Sequence, residues 1–206
     1  MCIRYAVILI SCLILVSCKA NVSEQYPQTD KSPPTDKELL DDASRFAKKI
    51  LGESLRVHKT EYIRGELGIN ALFESEKLID YTTFSNERYQ KDSGPFVLKD
   101  CILFAANYKD SKSAESAFEL LKESSKIRAS EVEGMAGITP VQVRFLEKIR
   151  NDEAGGMFTQ QGSYLFFLVE YGQVPSIATS WENYENLFLE SIAGDDTSIE
   201  TLKIRK

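Results

Sequence analysis

Histidine is the scarcest of the side chains that commonly carry chemistry, and His58 is the only one in the chain. A single imidazole cannot build a multi-histidine metal centre, and any Ser-His-Asp or Cys-His relay would have to pass through this one residue. It lies in the charged run His58-Lys59-Thr60-Glu61, which reads as a solvated strand. There is no Gly-x-Ser-x-Gly turn, Walker loop, dinucleotide fingerprint or Cys-x-x-Cys pair. Acidic pairs at Asp41-Asp42, Asp152-Glu153 and Asp195-Asp196 offer oxygen ligands or catalytic carboxylates. None follows the alternating order of a calcium loop with its central glycine and closing glutamate, so they read as solvation. Arg64-Gly65-Glu66 and Asn21-Val22-Ser23 are short enough to arise by chance. No metal or other cofactor is expected, and a non-catalytic role is favoured over an enzyme.

Cysteine chemistry points to the N-terminus. Arg4 precedes an uncharged apolar run, Tyr5 to Val16, which has the length of a signal-peptide core and is too short to span a bilayer. Lys19 and a polar stretch to Asp36 follow it. Leu15-Val16-Ser17-Cys18 resembles the lipobox of bacterial lipoproteins. That resemblance implies diacylglycerol on the Cys18 sulfur, loss of residues 1 to 17 as signal peptide, and a further acyl chain such as palmitate on the new amino terminus. Two or more acyl chains anchor stably where one binds reversibly. Lys19 is not the aspartate of the best-known inner-membrane retention rule, so the resemblance implies a cell-envelope location, the outer membrane favoured.

Cleavage would leave 189 residues with 24 basic and 31 acidic side chains, enough for one ordinary domain. An acidic chain without a Lys/Arg stripe is a poor nucleic-acid binder and gains nothing from anionic lipid, so the acyl chains must supply the membrane attachment. Cys2 and Cys12 would leave with the signal and Cys18 would carry lipid, leaving Cys101 without an intramolecular partner. It sits in the apolar run Cys101 to Ala106 beside Asp100, a setting for a buried structural thiol and not a reactive one.

Residues 18 to 34, polar and containing Pro27, Pro33 and Pro34, read as a flexible tether, and residues 35 to 206 are expected to form a single α+β domain. Thr35-Asp36-Lys37-Glu38 matches a capping box, and Leu39, Leu40, Ala43, Phe46, Ala47, Ile50 and Leu51 repeat at helical spacing up to Gly52. A strand is expected over Ser54 to Arg64 with Leu55, Val57 and Ile63 on one face, then a helix over Glu66 to Asp80. Tyr81 to Tyr89 and Phe96 to Tyr108 read as a hairpin whose second strand is interior, being apolar on both parities. A helix follows from Asp110-Ser111, with Ala114, Ala117, Phe118 and Leu121 inward. Val141 to Phe145 reads as a half-buried strand, Met157 to Gln160 as a short one, and Ser163 to Tyr171 as a second doubly apolar one. Thr179-Ser180-Trp181-Glu182 reads as a capping box for a last helix with Trp181, Tyr184, Leu187, Phe188 and Ile192 inward.

The result is a largely antiparallel sheet with helices packed on it and two strand-then-helix units. This layout resembles exported bacterial α/β domains that are themselves uncharacterised, and so implies nothing about function. Aromatics cluster in the last third, and the segment from Gly172 to Thr179 joins the final doubly apolar strand to the last helix. Tyr171, Trp181 and Tyr184 are the candidate binding surface beside it. The favoured reading is a domain that binds an envelope protein or a small apolar ligand. A cell-surface enzyme or a structural and assembly lipoprotein are the alternatives. Exposed aromatics or an apolar pocket would mark the first, and converging titratable groups the second.

Overall fold

The structure is a computed structural model that describes residues 34–61, 77–86, 101–126, 155–170, 173–193 and 198–204. All belong to one compact unit, Pro33–Lys206. Its first helix, α1 (Asp36–Leu51), starts where the capping box places it. The Thr35 hydroxyl accepts from the Glu38 amide, and the Glu38 carboxylate accepts from the Thr35 amide at 2.7 Å. Leu39, Ala43, Phe46 and Ala47 are buried along one stripe, and Gly52, at φ +52°, ends the helix in a conformation that penalises a Cβ.

Six strands follow: β1 (Arg56–Glu61), β2 (Leu78–Ser85), β3 (Cys101–Tyr108), β4 (Gly155–Gln161), β5 (Tyr164–Glu170) and β6 (Thr201–Ile204). They pair in the order β1-β2-β3-β5-β4-β6, antiparallel throughout, so the fold is α+β. The interior position expected for Cys101 to Ala106 is observed, since β3 lies between β2 and β5. Helices α2 (Ser111–Lys126) and α3 (Trp181–Ala193) complete the two strand-then-helix units. Among the described residues, no helix is long and apolar enough to cross a membrane.

The sheet separates two cores. Under α2, Phe104, Phe158, Phe167 and Leu165 meet Ala114, Phe118 and Leu121. Under α1 and α3, Leu103, Met157, Phe166 and Leu168 meet Phe46, Tyr184, Phe188 and Ile192. Strand alternation produces this division, because successive side chains of β4 and β5 point to opposite faces and both faces are covered. Phe158 and Phe167 stack at 4.1 Å across the strand pair, and a Cβ on Gly156 would fall 2.3 Å from the Phe167 ring. Only glycine at position 156 lets this ring lie diagonally over β4.

Three expectations need correction. Leu78 to Asp80 begin β2 and do not end a helix. A bulge at Ile79 turns Leu78 into the α2 core while Asp80 faces the other side, a two-sided burial that mimics a helical period in sequence. Val57 is 52% exposed, because β1 is an edge strand reached by little of the core. The α3 cap is Ser180 and not Thr179. The Ser180 hydroxyl accepts from the Asn183 amide at 3.0 Å, and the Asn183 side chain accepts from the amide of Thr179, the residue before the cap. Strand β6 is an addition to the expected elements, since four residues are too few for a legible alternation. Ile63, residues 66–76, residues 87–89, residues 96–100 and Val141 to Phe145 lie outside the described residues.

Candidate functional site

The chain leaves the sheet at Glu170 and returns as α3 at Trp181. Within residues 173–180, Ile177 and Ala178 pack partly onto the α1/α3 core, and the Ala178 amide donates to the Pro175 carbonyl at 2.9 Å. Trp181, in the first turn of α3, is half-buried and meets the Tyr184 ring edge-on at 5.7 Å. Tyr184 is fully buried and contacts Phe46 at 5.5 Å, and Phe46 contacts Phe188 at 5.1 Å. Trp181 therefore rests on a rigid aromatic platform while part of its own surface reaches solvent.

Of the residues singled out in sequence, Trp181, expected to face inward with Tyr184 and Phe188, packs partly on the α1/α3 core and leaves part of its surface outside. Tyr184 is not part of the candidate surface: it has no exposed area and belongs to the platform, because its position on α3 faces α1. Tyr171 and Cys18 lie outside the described residues, and Cys101 is described only as the first residue of β3. Leu187 is half-buried, whereas Phe188 and Ile192 are inside. His58 is exposed on β1.

Sequence reasoning missed the charges inside the α1/α3 face. Glu185 is fully buried, and its carboxylate accepts from the Lys203 ammonium of β6 at 2.6 Å. Glu170, also buried, pairs across the strands with Gly155, where a Cβ would stand 3.5 Å from its carboxylate. A signal existed for Glu185, since position 185 completes the stripe of Trp181, Phe188 and Ile192 at helical spacing. At the opposite edge Lys59 of β1 pairs with buried Asp80 at 2.9 Å. Each edge strand thus carries a lysine paired with a buried acid, and lysines on an edge discourage edge-to-edge association.

A second polar group lies at the other end of this face. Asp80, Asn107 and Tyr164 are neighbours across β2, β3 and β5, and the Asp36 carboxylate accepts from the Ser163 amide at 3.0 Å. Burial, and then the charges of Asp80 and Asp36, push the Tyr164 hydroxyl up and hold its proton. The other shifted groups serve structure. Hydrogen bonds from Thr35 lower Glu38, those from Ser113 lower Asp110, and pairing with Glu119 and Glu200 raises Lys122. Among the described residues, no three His, Cys, Asp or Glu side chains converge where they could hold a metal ion.

Comparison with known proteins gives no match to this chain among family models, curated proteins or solved structures.

Proposed function

We propose that this chain is a bacterial envelope lipoprotein, cut before Cys18 and anchored by lipid on its sulfur, whose α+β domain is a non-catalytic module that binds a second envelope protein. The anchor is supported by Leu15-Val16-Ser17-Cys18 after an uncharged apolar run, and residues 18 to 34 serve as the tether. One observation carries the binding role: a half-buried Trp181 seated on the buried Tyr184 ring, beside the uncharged segment 173–180. Large aromatics held by their neighbours present contact area at little entropic cost, which is why they dominate interface energetics. The interior beneath is filled by interlocked rings, with Phe166 edge-on to Phe188 at 5.6 Å. That packing favours a protein surface over a small apolar ligand as the partner.

Two variants test the reading. Cys18→Ser is expected to leave the detergent phase or to persist as an uncleaved precursor, and Trp181→Ala is expected to remain anchored but lose capture of the partner by crosslinking in intact cells. Unchanged maturation and partitioning of the serine variant would remove the anchor. Undiminished capture by the alanine variant would remove the surface.

A further inference from the structure

The antiparallel sheet has two ends, and the chain enters the domain at one of them. Asp36, in the first turn of α1, accepts from the Ser163 amide in the turn between β4 and β5. That turn adjoins the end of β3 and the start of β2, since the Tyr108 amide donates to the Ser163 carbonyl and the Lys109 amide to the Lys77 carbonyl, each at 2.9 Å. Segment 173–180 and Trp181 follow the other end of β5, seven residues or about 20 Å along the strand. The contact of Phe46, late in α1, with Tyr184, early in α3, has the same sense. The point of attachment and the candidate surface therefore lie at opposite ends of the domain.

The chain as a whole is acidic, yet the attachment end is basic where β2, β3 and α2 meet. Asp110 is held by the Ser113 amide at 2.8 Å, and the ammonium groups of Lys77 and Lys109 lie close enough to add to the lowering of its carboxyl. Lys112 follows in the first turn of α2, which contains no acid, so the helix dipole does not account for a lysine there. Two residues from Lys77, the bulge in β2 leaves Ile79 51% exposed. Resting on the anchor reading above, we propose that this end of the domain seats on the bilayer that carries the anchor. Ile79 enters the headgroup layer, Lys77, Lys109 and Lys112 meet lipid phosphates, and Trp181 is turned to the aqueous side. Sixteen residues, Lys19 to Pro34, join Cys18 to this end, a span of roughly 20 Å for a flexible chain, which keeps it the part of the domain nearest the lipid. An apolar side chain among lysines suits that interface, because lysine stems lie along apolar surface while their ammonium groups reach phosphates.

Trp181 is the sole tryptophan, so the parent reports the far end, and Trp181→Phe with Ile79→Trp reports the attachment end. Both full mature chains are reconstituted through the anchor into vesicles of phosphatidylethanolamine and phosphatidylglycerol that carry a spin label on the lipid headgroup, and flotation checks their attachment. Quenching is expected to be several-fold stronger at position 79 than at Trp181. Most of it should be lost when Lys109→Gln and Lys112→Gln are added, or in about 0.5 M salt. Chains that float without quenching at either position refute the docking and keep the anchor. Equal quenching at both, or more at Trp181, refutes the docking and turns the candidate surface toward the lipid. Quenching at 79 that is indifferent to salt and to the glutamines overturns the assignment to lipid phosphates. Chains that do not float refute the anchor, and the docking with it.

Discussion

The face under α2 encloses no buried carboxylate among the described residues, whereas the face under α1 and α3 encloses Glu170, Glu185 and Asp80 among its aromatics. The α2 side is stabilised by stacked rings such as Phe158 on Phe167, and burial of apolar area is sufficient to account for it. The α1/α3 side adds an ion pair whose desolvation offsets much of its own attraction, together with a tryptophan that is only partly buried. Stability alone does not require these groups. The contrast is one of chemistry, and it falls on the side that carries the proposed surface.

The largest effects should be equal on the two faces. Phe167→Ala and Phe188→Ala each remove a fully buried ring, and each is expected to cost about 3 to 5 kcal/mol in urea denaturation. A cost below about 1 kcal/mol at either site, far under the range for such truncations, would deny that face its role as core.

Charge should then separate the faces and the edges. Lys203→Met leaves Glu185 buried without its ammonium and is expected to cost about 3 kcal/mol, most of which returns when Glu185→Leu is added. Lys59→Met acts on a lysine that is 63% exposed, and its expected cost is under about 1 kcal/mol. Equal losses at the two lysines would show that the edges are guarded alike and that burial of Glu185 has no special weight.

Trp181→Ala is expected to cost about 1 to 2 kcal/mol, less than a full aromatic truncation, because the ring is only half-buried. Its emission should be intermediate in wavelength and partly quenched by iodide. A fully protected tryptophan would return it to the core and leave the surface without an anchor.

The smallest effects lie at the two helix starts, one on each face. Glu38 and Asp110 are held below the usual carboxylate range by their cap hydrogen bonds. Their contribution is therefore present above the unfolded values and is lost as pH falls through the folded ones, below about pH 4. Asp110→Asn is expected to melt slightly below the parent at neutral pH, with the gap closing in acid. A gap that is constant with pH would place the effect elsewhere.

Physical periodicity decides what is legible in this sequence. The Thr35 box, the stripe from Leu39 to Ala47 and the doubly apolar runs of β3 and β5 can be read because each is a local pattern long enough to exceed chance. Leu78 to Asp80 mislead because a bulge breaks the period of two, and β6 is hidden because pairing with β4, not its own composition, makes it a strand. Trp181 is legible as an aromatic at a helix start, but its half-burial depends on packing of 173–180 and α1 that no local pattern encodes. The Glu185 partner lies eighteen residues away on β6, and such a pair is visible only in three dimensions.

The comparison of the two faces is tested most directly by placing the same photoreactive residue at Asn186 on α3 and at Glu115 on α2, both exposed, in the full-length chain in living cells. A discrete adduct with a second envelope protein is expected from position 186, abolished by Trp181→Ala, and none from position 115. Adducts from 115 alone, or equal adducts from both, would contradict it.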